Sequence, residues 1–122
     1  MPIYSVIFIQ EGQKLVATAA NEILIYNASE GGLIKSLKAH KDSVLCLSPL
    51  LGDGFASGGA DKQVIIWSNT FQGILKYSHN DTIQSISQNP ITGVLLSCTH
   101  SEFGLWTPDI KALPKTKVSH PN

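Results

Sequence analysis

The chain has 122 residues, nine lysines balanced by nine acidic residues, no arginine and 43% hydrophobic residues. This composition is typical of a globular protein and excludes a disordered chain. Because guanine and phosphate are most often read by the guanidinium fork, the lack of arginine argues against a nucleic-acid partner.

The first part of the chain, about residues 3–37, predicts four short strands separated by turns. In order, these strands are Ser5–Ile9, Lys14–Ala19, Glu22–Tyr26 and Leu33–Leu37. The run ILIY at the third strand does not alternate between apolar and polar residues. Such a run is typical of a strand that is covered on both faces.

The second part, about residues 40–78, predicts another four strands. They are Val44–Ser48, Gly54–Ser57, Gln63–Trp67 and Gly73–Ser78. The sequence Gly58-Gly59-Ala60-Asp61 separates the second and third of them, and we interpret both glycines as turn residues.

The third part, about residues 79–106, predicts three strands without a convincing fourth. They are Thr82–Gln88, Val94–Cys98 and Phe103–Trp106. Residues 107–122 hold three prolines and three lysines. We therefore expect a loop or a frayed C-terminal end at residues 109–122.

The three parts repeat one another at a nearly constant spacing. His40 and His79 are 39 positions apart, as are Trp67 and Trp106, and Tyr26 precedes Trp67 by 41. A histidine, a serine, an aspartate and a tryptophan in this order resemble a WD40 repeat, which is about 40–45 residues long and forms one blade of a β-propeller.

The resemblance implies an all-β fold of about three consecutive four-stranded antiparallel blades. The blades would span about residues 3–37, 40–78 and 79–106. Since a propeller closes with about four to eight blades, we expect a partial WD40 propeller and not a closed ring. We also expect the remainder of its own propeller as a partner, because repeat folds bury their apolar faces only against neighbours.

Several segments point to one family within this fold. They are GLIKSLKAHKDSVLC, FASGGADKQVIIW, GILKYSHNDTIQSISQNPITGVLLSC and FGLWTP. Over residues 3–108 they resemble the N-terminal propeller of the intraflagellar transport protein 122 homologs, which are WD-repeat subunits of intraflagellar transport complex A. Members of that family are much longer, with two propellers followed by helical repeats.

This resemblance implies a non-catalytic scaffold for protein–protein interaction in retrograde ciliary transport and cilium assembly. Its partners would be other subunits of complex A, and its location the cytoplasm, the cilium and the ciliary base. The alternative is a WD40 scaffold of another assembly, such as a vesicle coat or a ubiquitin-ligase receptor.

Targeting and redox features fit a cytosolic protein. Ile3–Ile9 is apolar but lacks the basic flank and the small-residue cleavage site of a signal peptide. No stretch approaches the roughly 18 apolar residues of a membrane helix, so we expect no membrane insertion. Cys46 and Cys98 belong to no CxxC pair, and we expect both to be reduced.

The residues His40, Ser57, Asp61 and Trp67 form the strongest constellation. In the WD40 family such residues make one buried hydrogen-bond chain, which gives the indole N–H an acceptor. We therefore predict a structural tetrad. A catalytic Ser-His-Asp triad is the sharper alternative, but the serine lacks a nucleophile elbow and its oxygen would be occupied by the tryptophan.

The other two parts hold incomplete versions of this tetrad. The third part keeps His79, Ser97 and Trp106, but Thr99–Glu102 stands where an aspartate is expected. The first part has Thr18 and Tyr26 with neither a histidine nor an aspartate. We expect these two blades to be less well braced than the second.

No other pattern indicates chemistry. The histidines at 40, 79, 100 and 120 match no metal-binding spacing, so we expect no metal. The pairs Gly31-Gly32 and Gly58-Gly59 open no helix that could hold a phosphate, and we expect no cofactor.

Two loops lead into the predicted first strands of the second and third blades. They carry Lys41 and Asp42, and Asn80 and Asp81. One face of a propeller commonly binds peptides, so these residues are possible partner contacts. The plainer interpretation is a solvated loop.

Overall fold

The structure, a computed structural model, describes residues 3–107. Eleven β-strands form three antiparallel sheets, which we call blades one, two and three in chain order. Within these residues the structure contains no helix long and apolar enough to cross a membrane. The prediction of an all-β fold built from successive antiparallel blades is confirmed.

Blade one has four strands in the order β1-β2-β3-β4. They are β1 (Val6–Ile9), β2 (Lys14–Ala19), β3 (Glu22–Asn27) and β4 (Leu33–Leu37). Each pairs with its neighbour in sequence, because the connections are too short for a crossover. The β3–β4 register shifts between Ile25 and Tyr26.

Blade two has the same topology, β5-β6-β7-β8. Its strands are β5 (Val44–Pro49), β6 (Phe55–Gly59), β7 (Gln63–Trp67) and β8 (Gly73–Ser78). Gly58 and Gly59 lie in β6 and not in a turn, so our interpretation of this pair was wrong.

Blade three has the order β11-β10-β9. Its strands are β9 (Ser85–Gln88), β10 (Leu95–Cys98) and β11 (Phe103–Trp106). Strand β9 begins three residues after the predicted start. In the residues before it, the Thr82 N–H donates to Asp81 Oδ1 and the Ile83 N–H donates to Gly59 O of blade two. Within residues 3–107 this blade has three strands, not four. The loop or frayed end predicted at 109–122 lies outside the described residues.

Blades one and two pack face to face through an apolar cluster. Blade one contributes Val16, Ile23 and Ile25, which are fully buried against residues of blade two that include Phe55 and Trp67. The Phe55 and Trp67 rings stack at a centroid distance of 5.9 Å. Because each large apolar side chain gains about 1.5–3 kcal/mol on full burial, this interface is a major source of stability.

A second cluster joins blades two and three. Val64, Ile66 and Tyr77 of blade two pack with Leu95 and Trp106 of blade three. The rings of Tyr77 and Trp106 stack with centroids 4.1 Å apart. Each interface between blades therefore contains a tryptophan from the end of a third strand.

The first strands of the blades lie side by side, β1 against β5 and β5 against β9. One face of blade one and one face of blade three therefore meet no neighbouring blade within residues 3–107. Val6 and Phe8 are exposed on the first of these faces, and Phe103 and Leu105 on the second. We call them the leading face and the trailing face.

Candidate functional site

The predicted tetrad residues of blade two lie together in one chain of hydrogen bonds. His40 Nδ1 lies 3.0 Å from both carboxylate oxygens of Asp61. His40 Nε2 lies 2.8 Å from Ser57 Oγ, and Trp67 Nε1 donates to the same oxygen at 2.9 Å. These hydrogen bonds run from Asp61 to Trp67, and Trp67 lies in the interface with blade one.

The donors and acceptors of this chain fix its direction. An indole N–H only donates and a carboxylate only accepts, so Nδ1 of His40 carries the proton shared with Asp61. Nε2 is then an acceptor for the Ser57 hydroxyl, whose oxygen accepts from Trp67. Every polar side-chain atom buried among residues 3–107 has a hydrogen-bond partner. His40 and Ser57 can be buried because all of their polar side-chain atoms are hydrogen-bonded.

Asp61 also orders the backbone around it. Its carboxylate accepts the N–H of Lys41 at 3.0 Å and the N–H of Gln63 at 3.2 Å. A Cβ atom on Gly59 would lie 2.6 Å from Ser43 O and 3.1 Å from both Asp61 Oδ1 and His40 Nδ1. The glycine is therefore required for the close approach of strand and loop.

Blade three contains a complete tetrad, which corrects the prediction of a partial one. His79 Nε2 lies 2.6 Å from Ser97 Oγ, and Trp106 Nε1 donates to that oxygen at 2.6 Å. Glu102 supplies the acid, with Oε2 2.8 Å from His79 Nδ1. The Glu102 carboxylate also accepts the N–H of Asn80 at 3.3 Å, as Asp61 accepts that of Lys41.

Glu102 was missed in the sequence because the connection between Ser97 and the acid is one residue longer than in blade two. Glu102 follows Ser97 by five positions, whereas Asp61 follows Ser57 by four. The extra residue is absorbed in a turn in which Thr99 N donates to Glu102 O at 2.8 Å. The hydrogen bond from His79, followed by that from the Asn80 N–H, lowers the pKa of Glu102.

Blade one has a different brace. Thr18 is fully buried, and its Oγ1 accepts the N–H of Tyr4 and the N–H of Ser5, each at 3.2 Å. Thr18 therefore fixes the segment that leads into β1. Tyr26 is half-buried at the leading face.

The two tetrads are closed to reagents. Ser57 and Ser97 are fully buried, and each serine oxygen is already bonded to an indole and an imidazole. No group of three or more metal-binding side chains occurs among the residues that the structure describes. The arrangement can hold a blade in shape, but it presents no nucleophile to a substrate.

Cys46 is another buried residue with a potentially reactive side chain, and its thiol is enclosed by the protein. Burial raises the pKa of its thiol to about 12, against the smaller opposing effect of Gly58. The Sγ–H group points towards Gly58 O at 3.7 Å and Ile83 O at 3.8 Å. Since the thiolate is the reactive form, Cys46 is a packing residue.

The two predicted contact loops are anchored at their first residue. Lys41 and Asn80 directly follow the tetrad histidines and give their backbone N–H groups to the tetrad acids. Asp42 and Asp81 each accept the N–H of the next residue at 2.7 Å. Lys41, Asp42 and Asn80 are exposed and Asp81 is half-buried. The loops thus present polar side chains from a fixed backbone.

The leading and trailing faces are the other feature open to a partner. On the leading face an open apolar cavity is lined by residues that include Phe8, Leu15 and Tyr26. On the trailing face Phe103 is 43% exposed and Leu105 is 39% exposed. The sequence indicated that such faces exist, but the side chains that form them are assigned only by the strand register.

Comparison with protein families gives a match over nearly the whole chain. Residues 2–122 match the family described as the IFT122 first beta-propeller. The chain is 50% identical over 118 residues to the intraflagellar transport protein 122 homolog of Xenopus tropicalis, and 48% identical over 118 residues to that of Homo sapiens. Each match covers 96% of this chain and 10% of the relative. The chain thus spans about a tenth of the length of these relatives.

Solved structures show the same fold at low sequence identity. The RRP9 WD40 repeats align with a TM-score of 0.81 and 19% identity, covering 86% of this chain and 35% of that chain. The structure of U3-55K aligns with a TM-score of 0.86 and 18% identity, covering 98% of this chain and 38% of that one. These likenesses show that the three blades are WD40 blades, as the sequence predicted.

Proposed function

Because this chain belongs to the family of the IFT122 first beta-propeller, we propose that it is a non-catalytic scaffold module for protein–protein contacts in intraflagellar transport. The observation that carries this proposal is the family match over residues 2–122. We propose subunits of intraflagellar transport complex A as its partners, and the cytoplasm, the cilium and the ciliary base as its location. The relatives described above do not favour the alternative of a vesicle coat or a ubiquitin-ligase receptor.

The geometry of the tetrads supports a scaffold over an enzyme. Both Ser-His-acid arrangements bury the serine and bind its oxygen to a tryptophan. A hydrolase needs a serine that the scissile carbonyl can reach. If the chain hydrolyses an ester in a way that Ser57→Ala abolishes in a folded protein, the scaffold proposal fails.

The exposed loops Lys41-Asp42 and Asn80-Asp81 are the partner contact that we propose. Their backbones are held by Asp61 and Glu102, so little conformational entropy is lost when a partner binds them. The leading and trailing faces have a different proposed occupant, namely further blades of the same propeller. Their exposed apolar side chains resemble those buried between the blades of this chain.

Binding to purified complex A subunits tests the loop contact. The double variant Lys41→Glu with Asp81→Lys is expected to weaken co-sedimentation with the partner at least about tenfold, the loss of roughly 1.4 kcal/mol of binding energy. Glu30→Lys, at an exposed turn between β3 and β4, is the matched control and should bind as the parent does. Equal binding by all three proteins would contradict the proposed contact.

A further inference from the structure

Two exposed apolar residues, Leu51 and Ile91, lie at the opposite end of blades two and three from the proposed contact loops. Leu51 comes after β5 and Ile91 comes after β9, whereas the contact loops precede these two strands. Leu51 is 49% exposed and Ile91 is 88% exposed. A Cβ atom on Gly93 would lie 3.9 Å from Leu51 Cδ1, so Leu51 lies beside the turn that carries Ile91. We call Leu51 and Ile91 the turn patch.

Hydrogen bonds hold the backbone of the turn patch in one shape. Gln88 Oε1 accepts the N–H of Leu51 at 2.8 Å, and Gln88 Nε2 donates to Gly93 O at 2.9 Å. Asn89 Oδ1 accepts two successive backbone N–H groups, the first of which is that of Ile91 at 2.8 Å. Because the two turns are already tied together, a partner that binds them loses little conformational entropy.

Packing within the chain does not account for the apolar side chain at position 91. Nearly all of its surface is exposed, so it contributes little to the core of the blades. The corresponding β1–β2 turn of blade one exposes Glu11 and Gln13 instead. A turn at this place in a blade can therefore be built from polar residues, and Ile91 calls for another explanation.

The sequence around the turn patch is nearly free of charge. Residues 82–101 contain no lysine and no acidic residue, and residues 43–60 contain only one, Asp53, although 15% of the whole chain is charged. Apolar side chains surrounded by few charges are typical of the buried centre of a protein–protein interface.

We propose that the turn patch is a second protein-contact surface, and that it binds a protein subunit with an uncharged apolar pocket that receives Ile91. A protruding side chain requires a concave partner surface, and an unpaired charge buried against it would be costly. The inference rests on the proposed function, to which it adds a contact on the side of the module opposite the loops. With contacts on two sides, the module can hold two subunits at once.

The charges on this side of the molecule disfavour a lipid surface as the partner. Segments that bind anionic membranes carry lysine or arginine beside their apolar residues. The charged residue beside the turn patch is Asp53, and the β1–β2 turn carries Glu11. An anionic membrane would repel both carboxylates.

Binding to purified complex A subunits tests the turn patch. Ile91→Ser is expected to weaken co-sedimentation with the partner at least about tenfold, because the apolar contact is lost. Ile91→Leu keeps an apolar side chain and should bind as the parent does. Glu11→Gln, in the corresponding turn of blade one, is the matched control and should also bind as the parent does. Urea denaturation should give the same midpoint for all of these proteins, since Ile91 is exposed.

Ionic strength separates this contact from that of the loops. The fold-loss caused by Ile91→Ser should be the same at low and high salt, because no charge is removed. The loss caused by Lys41→Glu with Asp81→Lys should shrink as salt rises. If Ile91→Ser binds as the parent does while the loop variant is weakened, the turn patch is not a contact and the proposed function stands. If the parent binds no complex A subunit, both proposals fail.

Two further assays identify a different occupant of the turn patch. Sedimentation velocity shows whether Ile91→Ser reduces the association of the chain with itself. Flotation with vesicles containing phosphatidylserine shows whether the parent binds lipid through Ile91. An effect of Ile91→Ser in the first assay would assign the turn patch to a second copy, and an effect in the second would assign it to a lipid surface. Either result would overturn the proposal.

Discussion

Each tryptophan at the end of a third strand brings one indole N–H into an apolar interface. An unpaired buried donor costs about 1–3 kcal/mol, so the position of the tryptophan requires an acceptor nearby. Ser57 and Ser97 are those acceptors, and each serine hydroxyl donates in turn to a histidine Nε2. The acid then accepts from Nδ1 of the same histidine. The tetrads are therefore a consequence of using tryptophan as the packing residue between blades.

Removing Asp61 tests this at blade two. Asp61→Ala leaves the Nδ1–H of His40 without its acceptor and frees the N–H of Lys41. We expect a loss of about 1–3 kcal/mol in the free energy of unfolding, measured by urea denaturation. Glu30→Ala, at an exposed position, is the control and should change stability by less than about 0.5 kcal/mol. Equal losses for the two variants would refute the structural role of Asp61.

Glu102 makes the stability of blade three depend on pH. Its pKa is lower in the folded chain than the ordinary value of about 4.3, since the carboxylate is bonded to His79 and to the Asn80 N–H. The stabilisation from Glu102 is thus fully present above the ordinary pKa and is lost as the pH falls through the lowered folded value.

The matching experiment compares the parent chain with Glu102→Gln from pH 7 to pH 3. Above about pH 5 the parent should be more stable by a constant margin. Below the ordinary glutamate pKa the margin should shrink, as protonation makes the parent resemble the variant. A margin that stays constant through the acid range would show that Glu102 is not ionised in its bond to His79.

At the scale of the element, strand β6 shows how packing overrides a turn signal. The pair Gly58-Gly59 predicted a turn, because glycine is depleted in strands. In the structure both residues continue β6. A Cβ atom on Gly58 would lie 2.6 Å from Ile83 Cγ2 and 2.8 Å from Ile86 Cδ1. Blade three therefore approaches blade two at a point where a side chain does not fit.

Gly58→Ala is expected to weaken the packing of blade three on blade two. Overpacking of a close interface costs about 1–3 kcal/mol, which denaturation by urea would record. Gly32→Ala is the matched control, because its Cβ atom would meet nothing within 4 Å. If both substitutions leave stability unchanged, the interface between the second and third blades is looser than the structure shows.

The sequence predicted the strands well, because a strand of four to six residues leaves a local signature in its own residues. It could not predict which side each residue faces. Val6 and Leu105 are exposed, whereas Ile23, Ile25 and Leu95 are fully buried. All are apolar residues of apolar runs, and only the register places them, since a shift of one residue moves a side chain to the other face.

The second tetrad marks a similar limit. His79, Ser97 and Trp106 were found from the repeat, because their spacing nearly equals that in blade two. Glu102 was missed, because the search assumed an aspartate at one fixed distance from the serine. A longer side chain on a longer connection reaches the same histidine nitrogen. A carboxylate thus binds the histidine in both blades, although its distance in sequence from the serine differs. The folded structure is needed to identify Glu102 as that carboxylate.

For the whole molecule, the leading and trailing faces predict how copies of the chain associate. Apolar surface removed from water contributes about 25 cal/mol per Å², so exposed Phe8 and Leu105 favour contact with another surface. We expect sedimentation velocity to show concentration-dependent association of the 122-residue chain. Phe8→Glu and Leu105→Glu should each reduce it. Ile91→Glu should not, although Ile91 is 88% exposed, because it lies in the β9–β10 turn and on neither face.

The direction of that association follows from which face is which. Phe55 and Trp67 of blade two face blade one. Tyr26, the last residue but one of β3, lies on the leading face as the counterpart of Trp67 in β7. Val64 and Ile66 face blade three, and their counterparts Phe103 and Leu105 form the trailing face. The leading face of one copy should therefore meet the trailing face of another, in a head-to-tail contact.

A mixing experiment separates this contact from a face pairing with itself. Phe8→Glu keeps an intact trailing face and Leu105→Glu keeps an intact leading face, so each variant lacks the surface that the other retains. Neither should associate strongly alone, and a mixture should form a complex at a 1:1 ratio. Association of Leu105→Glu alone at the level of the parent would instead show that leading faces pair with each other. In that case the blades would not meet as they do within the chain.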